Sequence, residues 1–389
     1  MEDGVCSRGG ITVLDDSRSL LLTEDGWFKN REDEETDCYV FAYGHDYKGC
    51  IADFYRLTGI PPLLPAYALG NWWSRYHRYT QREYCDLIER FQKEKIPFSV
   101  AVEDMDWLQG DDYWWVHDDE HPKNELETMS PLWLINHLHI LDIMRNGKRP
   151  MFFSRYSGPG SHRYPVGFSG DTIVTWESLD FQPYFTATAS NIGYGWWSHD
   201  IGGHMNGYRD DELQVRWIQL GVFSPINRLH SSNNRFAGKE PWNLNDLCKG
   251  ISEDWLRLRY RLFPYIYTMN YCVHKDLEPL IRPLYYTYPD CDEAYSFKNQ
   301  YWFGSELLVA PITSGTGSST MMSSVDIWFP KGKWIDFFTG LITVLCYTRI
   351  RATETNIKTE NTQQRNFRLN GGKPLFSLFI RHRGKLSYT

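Results

Sequence analysis

The sequence contains no run of eighteen apolar residues, the length a helix needs to cross a bilayer, so neither a membrane-spanning helix nor a membrane partner is expected. Its first residues, MEDGVCSRGG, are neither basic nor followed by an apolar core, so no secretory signal is expected and a cytoplasmic location is favoured. There is no CxxC pair. The eight cysteines are scattered from Cys6 to Cys346, too sparse in 389 residues for a disulfide scaffold, and reduced structural thiols are the reading. Positive charge is not in excess: 41 Lys and Arg against 49 Asp and Glu leave a net charge of −8, which argues against a nucleic-acid partner and points to a neutral or cationic ligand. The glycine-containing loop SGPGS at 157–161 has neither a Walker lysine nor GxGxxG spacing, so no phosphate-bearing cofactor is expected. No internal repeat is present, and nothing in the sequence fixes an oligomeric state.

Aromatic residues are abundant instead: 16 Trp, 25 Tyr and 21 Phe, or 16% of the chain. Trp and Tyr join a flat apolar face to a polar edge, which suits stacking on a sugar ring as well as packing in a core. Core packing explains most of them, but WW pairs at 72–73, 114–115 and 196–197 each end a strand-like run.

Between residues 66 and 287 strand and helix signals alternate, the pattern of parallel βα units. After AYALGNWW, Thr80 and Glu83 form a capping box, and Tyr84, Leu87, Ile88 and Phe91 recur along one helix face. FSVAV, YWWV, RPMFFSR, GYGWWSHD, VFSPIN and PLIRPLYY continue the strand series, seven in all, and a long helix capped by Ser252 precedes the last. A closed (β/α)8 barrel needs eight strands. Parallel neighbours require a crossover of a dozen or more residues, yet only Leu108 to Asp112 separate DMDW from YWWV, so one strand and about two helices are expected to be missing there. The fold class expected is therefore α/β: a TIM-type barrel over 63–290, short of one strand, flanked by a β-rich remnant of a sandwich domain at 1–62 and a C-terminal β domain at 291–389. Within the last, TRIRATETNIKTENTQQRN reads as a polar loop or tail.

Function in a parallel barrel sits at the C-terminal strand ends. Those ends carry Trp72 and Trp73, Asp104 and Asp106, His117 and Asp118, Arg155, then Asp171 in the following loop, His199 and Asp200, and His230. Carboxylates, an arginine, histidines and aromatics on one face compose a glycosidase site, where two carboxylates flank the scissile bond. Read without further context, Asp104 and Asp106 are better taken as caps or ion-pair partners, and for Arg155 a structural salt bridge is the lesser alternative. His199, Asp200 and His204 lie close in sequence, but the i, i+5 histidine spacing matches no standard ligand pattern, so no metal is expected.

LGNWWSR, VAVEDMDW, SRYSGPGSHRYPVGFSGDT, WWSHDIGGH and FSPINRLHSS resemble, in order, successive blocks of glycoside hydrolase family 31, the retaining α-glucosidases and α-xylosidases. The likeness runs over roughly residues 10 to 340. It implies a carbohydrate substrate, no cofactor, and a double-displacement mechanism. It further implies that Asp171 is the general acid/base, that Arg155 and His230 hold the reacting sugar, that Asp104 and Asp200 bind or order sugar-facing groups, and that Trp72 lies in the pocket wall.

The departure is at the nucleophile. Family members place an Asp after an aromatic-aliphatic strand comparable to YWWV, and here His117 occupies that position. An imidazole cannot supply the negative charge that stabilises an oxocarbenium-like transition state. Asp118 is the possible substitute, although successive strand residues face opposite ways. The sequence therefore leaves two functions open, an α-glycosidase and a carbohydrate-binding relative that cannot form the glycosyl-enzyme. It predicts an incomplete ring of strands, exposed apolar surface that binds ANS, and no turnover of an aryl α-glucoside above background.

Overall fold

The computed structural model describes residues 4–25, 27–31, 36–104, 132–145, 147–154, 158–317, 322–340, 342–345, 347–355 and 377–381. The junction at which a strand is expected to be missing lies outside these residues.

At the N-terminus β1 (Ile11–Asp15) pairs antiparallel with β4 (Cys38–Ala42), and the short β2 (Leu21–Leu22) with β3 (Phe28–Lys29). The first 62 residues are not only β. Helix α1 (Tyr47–Thr58) starts where the Asp46 carboxylate accepts the Gly49 N–H, and it buries Ile51, Phe54 and Tyr55 in a cluster with Val5 and Tyr286.

The barrel units follow. β5 (Asn71–Arg75) leads to α2 (Gln81–Lys93), which opens on the expected Thr80–Glu83 capping box and buries Tyr84 and Phe91. β6 (Val100–Glu103) then pairs parallel with β5. Beyond α3 (Leu132–Arg145), Ser154 forms a parallel bridge to β7 (Gly167–Phe168), which pairs with β8 (Trp197–Ser198) across α4 (Trp176–Thr188). α5 (Asp211–Val222) leads to β9 (Asn227–Leu229), which pairs parallel with β5 and is bridged to β8 through Ser198 and Ile226. The described parallel strands thus run β6, β5, β9, β8, β7, with the first and the last of the series side by side, as closure of a barrel demands.

One of the seven expected strands changes identity, and one strand joins the barrel that was not among them. Gly167–Phe168, which lies between the expected strand RPMFFSR and the following helix, is a barrel strand of two residues. PLIRPLYY is not one: β10 (Ile281–Pro283) pairs antiparallel with β11 (Tyr301–Phe303). The long helix is two, α6 (Asp246–Arg261) and α7 (Phe263–Asp276), and its cap is Asn245, which accepts the Cys248 N–H, while Ser252 sits buried in mid-helix. Pro264 forces the break, because it has no N–H for the preceding turn.

The C-terminal sheet is antiparallel in the order β10, β11, β12 (Leu307–Ala310), β17 (Ser377–Arg381), β14 (Gly332–Asp336), β15 (Ile342–Leu345). Beside it β13 (Met322–Phe329) pairs over eight residues with β16 (Thr348–Thr355), so the start of the expected polar tail is a strand. Its Arg349 and Arg351 both bind Asp326 on β13, a cross-strand pairing that polarity alone does not reveal. One apolar cluster runs from Trp72, Trp73 and Trp217 in the barrel to Tyr301 and Phe303 in the sheet.

Candidate active site

The alternation of strand β8 separates its residues into two sets. Trp197 and His199 face α4: His199 Nδ1 lies 2.7 Å from Gln182 Oε1 and Nε2 2.6 Å from Thr186 Oγ1, with the Trp197 ring 4.0 Å away. Burial pushes this imidazole down to about 3, so it is neutral and structural. Ser198 and Asp200 face the opposite way, where Asp200 Oδ1 accepts from the Arg228 guanidinium.

Arg228, on β9, ties three strands together. Its Nε donates to Ser198 Oγ at 3.1 Å and a terminal nitrogen to Ser74 Oγ of β5 at 3.3 Å, while its plane lies over Phe153 and Phe168 at 5.0 and 4.8 Å. Burial lowers the Arg228 pKa, and burial raises that of Asp200, although each partner pulls the other back toward its charged form. Both charges lose more to desolvation than the pair returns, so this ion pair fixes geometry more than it stabilises. The second oxygen, Oδ2, is buried and has no hydrogen-bond partner among the described residues.

His230, two residues on from Arg228 and hence on the same side, completes the wall. Its Nδ1 lies 2.8 Å from Ser74 Oγ, its Nε2 is 3.8 Å from Asp104 Oδ2, and its ring stacks on His204 at 4.7 Å. Burial, with the charge of Arg228 and His204 beside it, lowers the His230 pKa, leaving a neutral ring that can accept or donate one hydrogen bond. The Asp104 side chain is one-fifth exposed, at 21%.

Asp171, in the loop after β7, is exposed and makes no hydrogen bond among the described residues. Its loop is held by its neighbours: Thr172 O accepts the His204 N–H at 2.7 Å, and the Val174 N–H donates to Met205 O at 3.2 Å. The fit requires glycine at 207, where φ is +70° and a Cβ would sit 2.1 Å from Val174 O. Asp171 is close enough that its charge contributes to raising the pKa of Asp200.

The structure therefore brings together Asp104, Asp171, Asp200 and His230 of the expected set. Trp72 is not on the cleft surface: it is 2% exposed, donates its indole N–H to Ala68 O at 2.9 Å and packs edge-on against Phe153. His117, Asp118 and Arg155 lie outside the described residues. Arg228 and Ser74 are site residues that the sequence reading passed over. The i, i+2 spacing of Arg228 and His230 on a strand was the available signal for the first. Of the trio weighed as metal ligands, His199 turns away, while Asp200, His204 and His230 bring ligand atoms within 4.8 Å of one another. Arg228 already neutralises the one carboxylate of that group, which leaves little charge to draw a cation.

The model of the glycosyl hydrolases family 31 TIM-barrel domain matches residues 61–141 and 123–269, and that of the family's C-terminal domain matches 277–376. Alpha-glucosidase 2 of Bacillus thermoamyloliquefaciens is 33% identical over 195 residues, 50% of this chain and 24% of its own length. An alpha-xylosidase of Saccharolobus solfataricus is 24% identical over 425 residues, 81% of this chain and 56% of its own. The matched parts span well under two thirds of these relatives. Among solved structures, a family 31 alpha-xylosidase from a soil metagenome, complexed with xylose, superposes with a TM-score of 0.75 at 20% identity, covering 96% of this chain and 72% of that one. A likeness at that identity carries the fold. The barrel model, spanning 61–269 and so more than half of 389 residues, carries the family: the chain belongs to glycoside hydrolase family 31.

Proposed function

We propose that this chain is an α-glycoside hydrolase acting on α-glucosidic or α-xylosidic bonds by double displacement. The observation that carries the reading is the disposition of Asp171 against the buried wall of Asp200, Arg228 and His230. One carboxylate is open to solvent, while the groups that would grip a sugar ring are locked in place. Asp171 protonates the leaving oxygen and then, as carboxylate, activates the water that releases the sugar; its exposure lets it exchange the proton between the steps. His230 and Asp104 meet ring hydroxyls, and the orphaned Oδ2 of Asp200 accepts from one more. The nucleophile comes from the 117–118 stretch, where Asp118 is the only carboxylate.

A second reading, a carbohydrate-binding relative that forms no glycosyl-enzyme, is favoured by His117 at the position the family gives to a carboxylate. A lone general acid is worth roughly 10²- to 10⁴-fold, far below the ~10⁶- to 10¹⁷-fold of typical enzymes. Hydrolysis of an aryl α-glucoside decides between them, since its leaving group needs little protonation. The hydrolase reading requires a rate that Asp118→Ala abolishes; glucose or xylose binding without turnover carries the second.

The domain division at 62 and 290, and a barrel shortened by one strand and about two helices, are part of this proposal. The five-residue junction at 108–112 supports the shortening, as does the match of one barrel model in two overlapping pieces. The alignment with the Saccharolobus solfataricus alpha-xylosidase extends over 425 positions although it takes in only 81% of a 389-residue chain, which also favours lost sequence on this side.

A further inference from the structure

Cys6 and Cys50 are distant in sequence and meet in the small apolar cluster beneath α1, where Cys50 is buried and Cys6 packs against it, half-buried. Two separate contacts bring them together. Cys50 Sγ donates to Val5 O at 3.2 Å, so the residue before Cys6 already touches the Cys50 sulfur. Cys6 Sγ in turn lies 3.9 Å from Tyr47 O, the carbonyl three residues before Cys50, and 3.9 Å from the Tyr286 hydroxyl. A helical side chain leans back over the turn that precedes it, so the Cys50 sulfur lies against the same carbonyl from the other side. Among the described cysteines these two alone act on one another: the contact with Cys50 raises the Cys6 thiol pKa, and the contact with Cys6 lowers that of Cys50.

The segment that carries Cys6 is a strap between α1 and the barrel. The Val5 N–H donates to Asn191 O at 2.9 Å, and the approach is so close that a Cβ on Gly4 would stand 2.8 Å from that oxygen. Asn191, in the turn Ala189–Ile192 that leads into β8, is itself fixed by the Tyr285 and Tyr286 hydroxyls at 2.8 and 3.0 Å. Among the described residues that bond from Val5 is the one backbone hydrogen bond joining residues 4–6 to the barrel. A segment held so lightly opens often, and each opening exposes Cys6.

We propose that Cys6 and Cys50 are a modification site, closed to a disulfide by a small disulfide oxidant such as oxidised glutathione, and that the link latches the strap onto α1. The Cys6 thiolate attacks one sulfur of the oxidant, which gives a mixed disulfide and releases one glutathione thiolate. The Cys50 thiolate then attacks the Cys6 sulfur and expels the second. The two protons given up by the cysteines pass to the two glutathione thiolates, and the two electrons lost by the pair reduce the oxidant. Cys50, buried and already against Cys6, is the resolving thiol. The closed loop holds both strand pairs, β1 with β4 and β2 with β3, so the link removes freedom from the unfolded chain over that whole stretch.

The test uses the full chain carrying Cys38→Ser and Cys85→Ser, which removes the two exposed thiols. It is equilibrated with oxidised glutathione, quenched by alkylation, digested and mapped by mass spectrometry. A peptide pair joined through Cys6 and Cys50 should form at a rate independent of protein concentration. The linked chain should melt about 4–8 °C above the reduced one, the shift that closing a long loop implies. Cys6→Ser, at a half-buried position, should melt within about 2 °C of the reduced chain and show no shift with the oxidant; Cys50→Ala should lose the shift as well, which keeps the test sound if one variant folds poorly. Separate alkylation of both thiols, a glutathione adduct that persists on Cys6, a linked chain that melts where the reduced one does, or a shift that survives in either variant would each overturn the proposal.

Discussion

Asp171 and Asp200 follow adjacent strands of the same barrel, β7 and β8, yet their surroundings are opposite. Asp200 is fully buried, held by Arg228, which in turn is held by Ser198 and Ser74. Asp171 is exposed, on a loop held by backbone hydrogen bonds to His204 and Met205. The difference separates two tasks that one residue type can serve. A group that orients a ring must not move and need not exchange protons, whereas an acid/base must meet water in every cycle. Position at a strand end makes both residues candidates; burial and partners are what set them apart.

The largest effect expected from breaking this comparison is on stability at the Asp200 side. Asp200→Ala leaves Arg228 charged and unpaired in the core, a change that costs about 3–5 kcal/mol and should be read as a lowered urea midpoint with unchanged slope. Arg228→Met, removing the charge itself and keeping much of the volume, should be milder. If Asp200→Ala unfolds no more easily than wild type, the pair is not the anchor described here.

A second measurement sharpens the contrast through pH. His199, next to Asp200 just beyond β8, is pushed by burial down to about 3 in the folded chain against 6.5 when free. Between those values the unfolded chain binds a proton that the folded chain does not, so stability falls as pH falls through this window. At pH 5 the loss from this one ring is about 2 kcal/mol. His199→Gln should remove that component from the difference between urea unfolding at pH 7 and at pH 5. His162, buried beneath α1 and also pushed down to about 3, gives the same sign and serves as the control outside the site.

Much of this arrangement was legible in the sequence because it depends on local chemistry. The capping box at Thr80 and Glu83 and the strand ends bearing Asp104, Asp200 and His230 all follow from spacing. What escaped was set by tertiary partners. Gly167–Phe168 is too short to show any periodicity, and only its neighbours Ser154 and β8 make it a strand. Ile281–Pro283 has the apolar run of a barrel strand but finds an antiparallel partner in β11. Trp72 looks like a pocket aromatic until Phe153 and the Ala68 carbonyl take both its face and its N–H.

Ser74 offers a gentler test of the Asp200 side. Its hydroxyl touches both Arg228 and His230, so Ser74→Ala should cost about 1 kcal/mol in urea unfolding and weaken binding of glucose, since the orientation of His230 is lost. A cost without any change in sugar affinity would show that His230 is held by packing on His204 alone.

The smallest expected effect falls on the other carboxylate. Asp171 contributes no hydrogen bond and no buried surface among the described residues, so Asp171→Asn should change stability by less than about 0.5 kcal/mol, the usual size of a surface substitution. Asparagine keeps the shape and removes the proton that can be transferred. If the assignment is right, the variant should therefore melt like wild type and bind glucose like wild type. Any hydrolysis of an alkyl α-glucoside, whose leaving oxygen must be protonated, should fall by roughly 10²- to 10⁴-fold, and hydrolysis of an aryl α-glucoside by less. A variant that loses several kcal/mol of stability would instead place Asp171 among the structural anchors, and the distinction between the two strand ends would disappear.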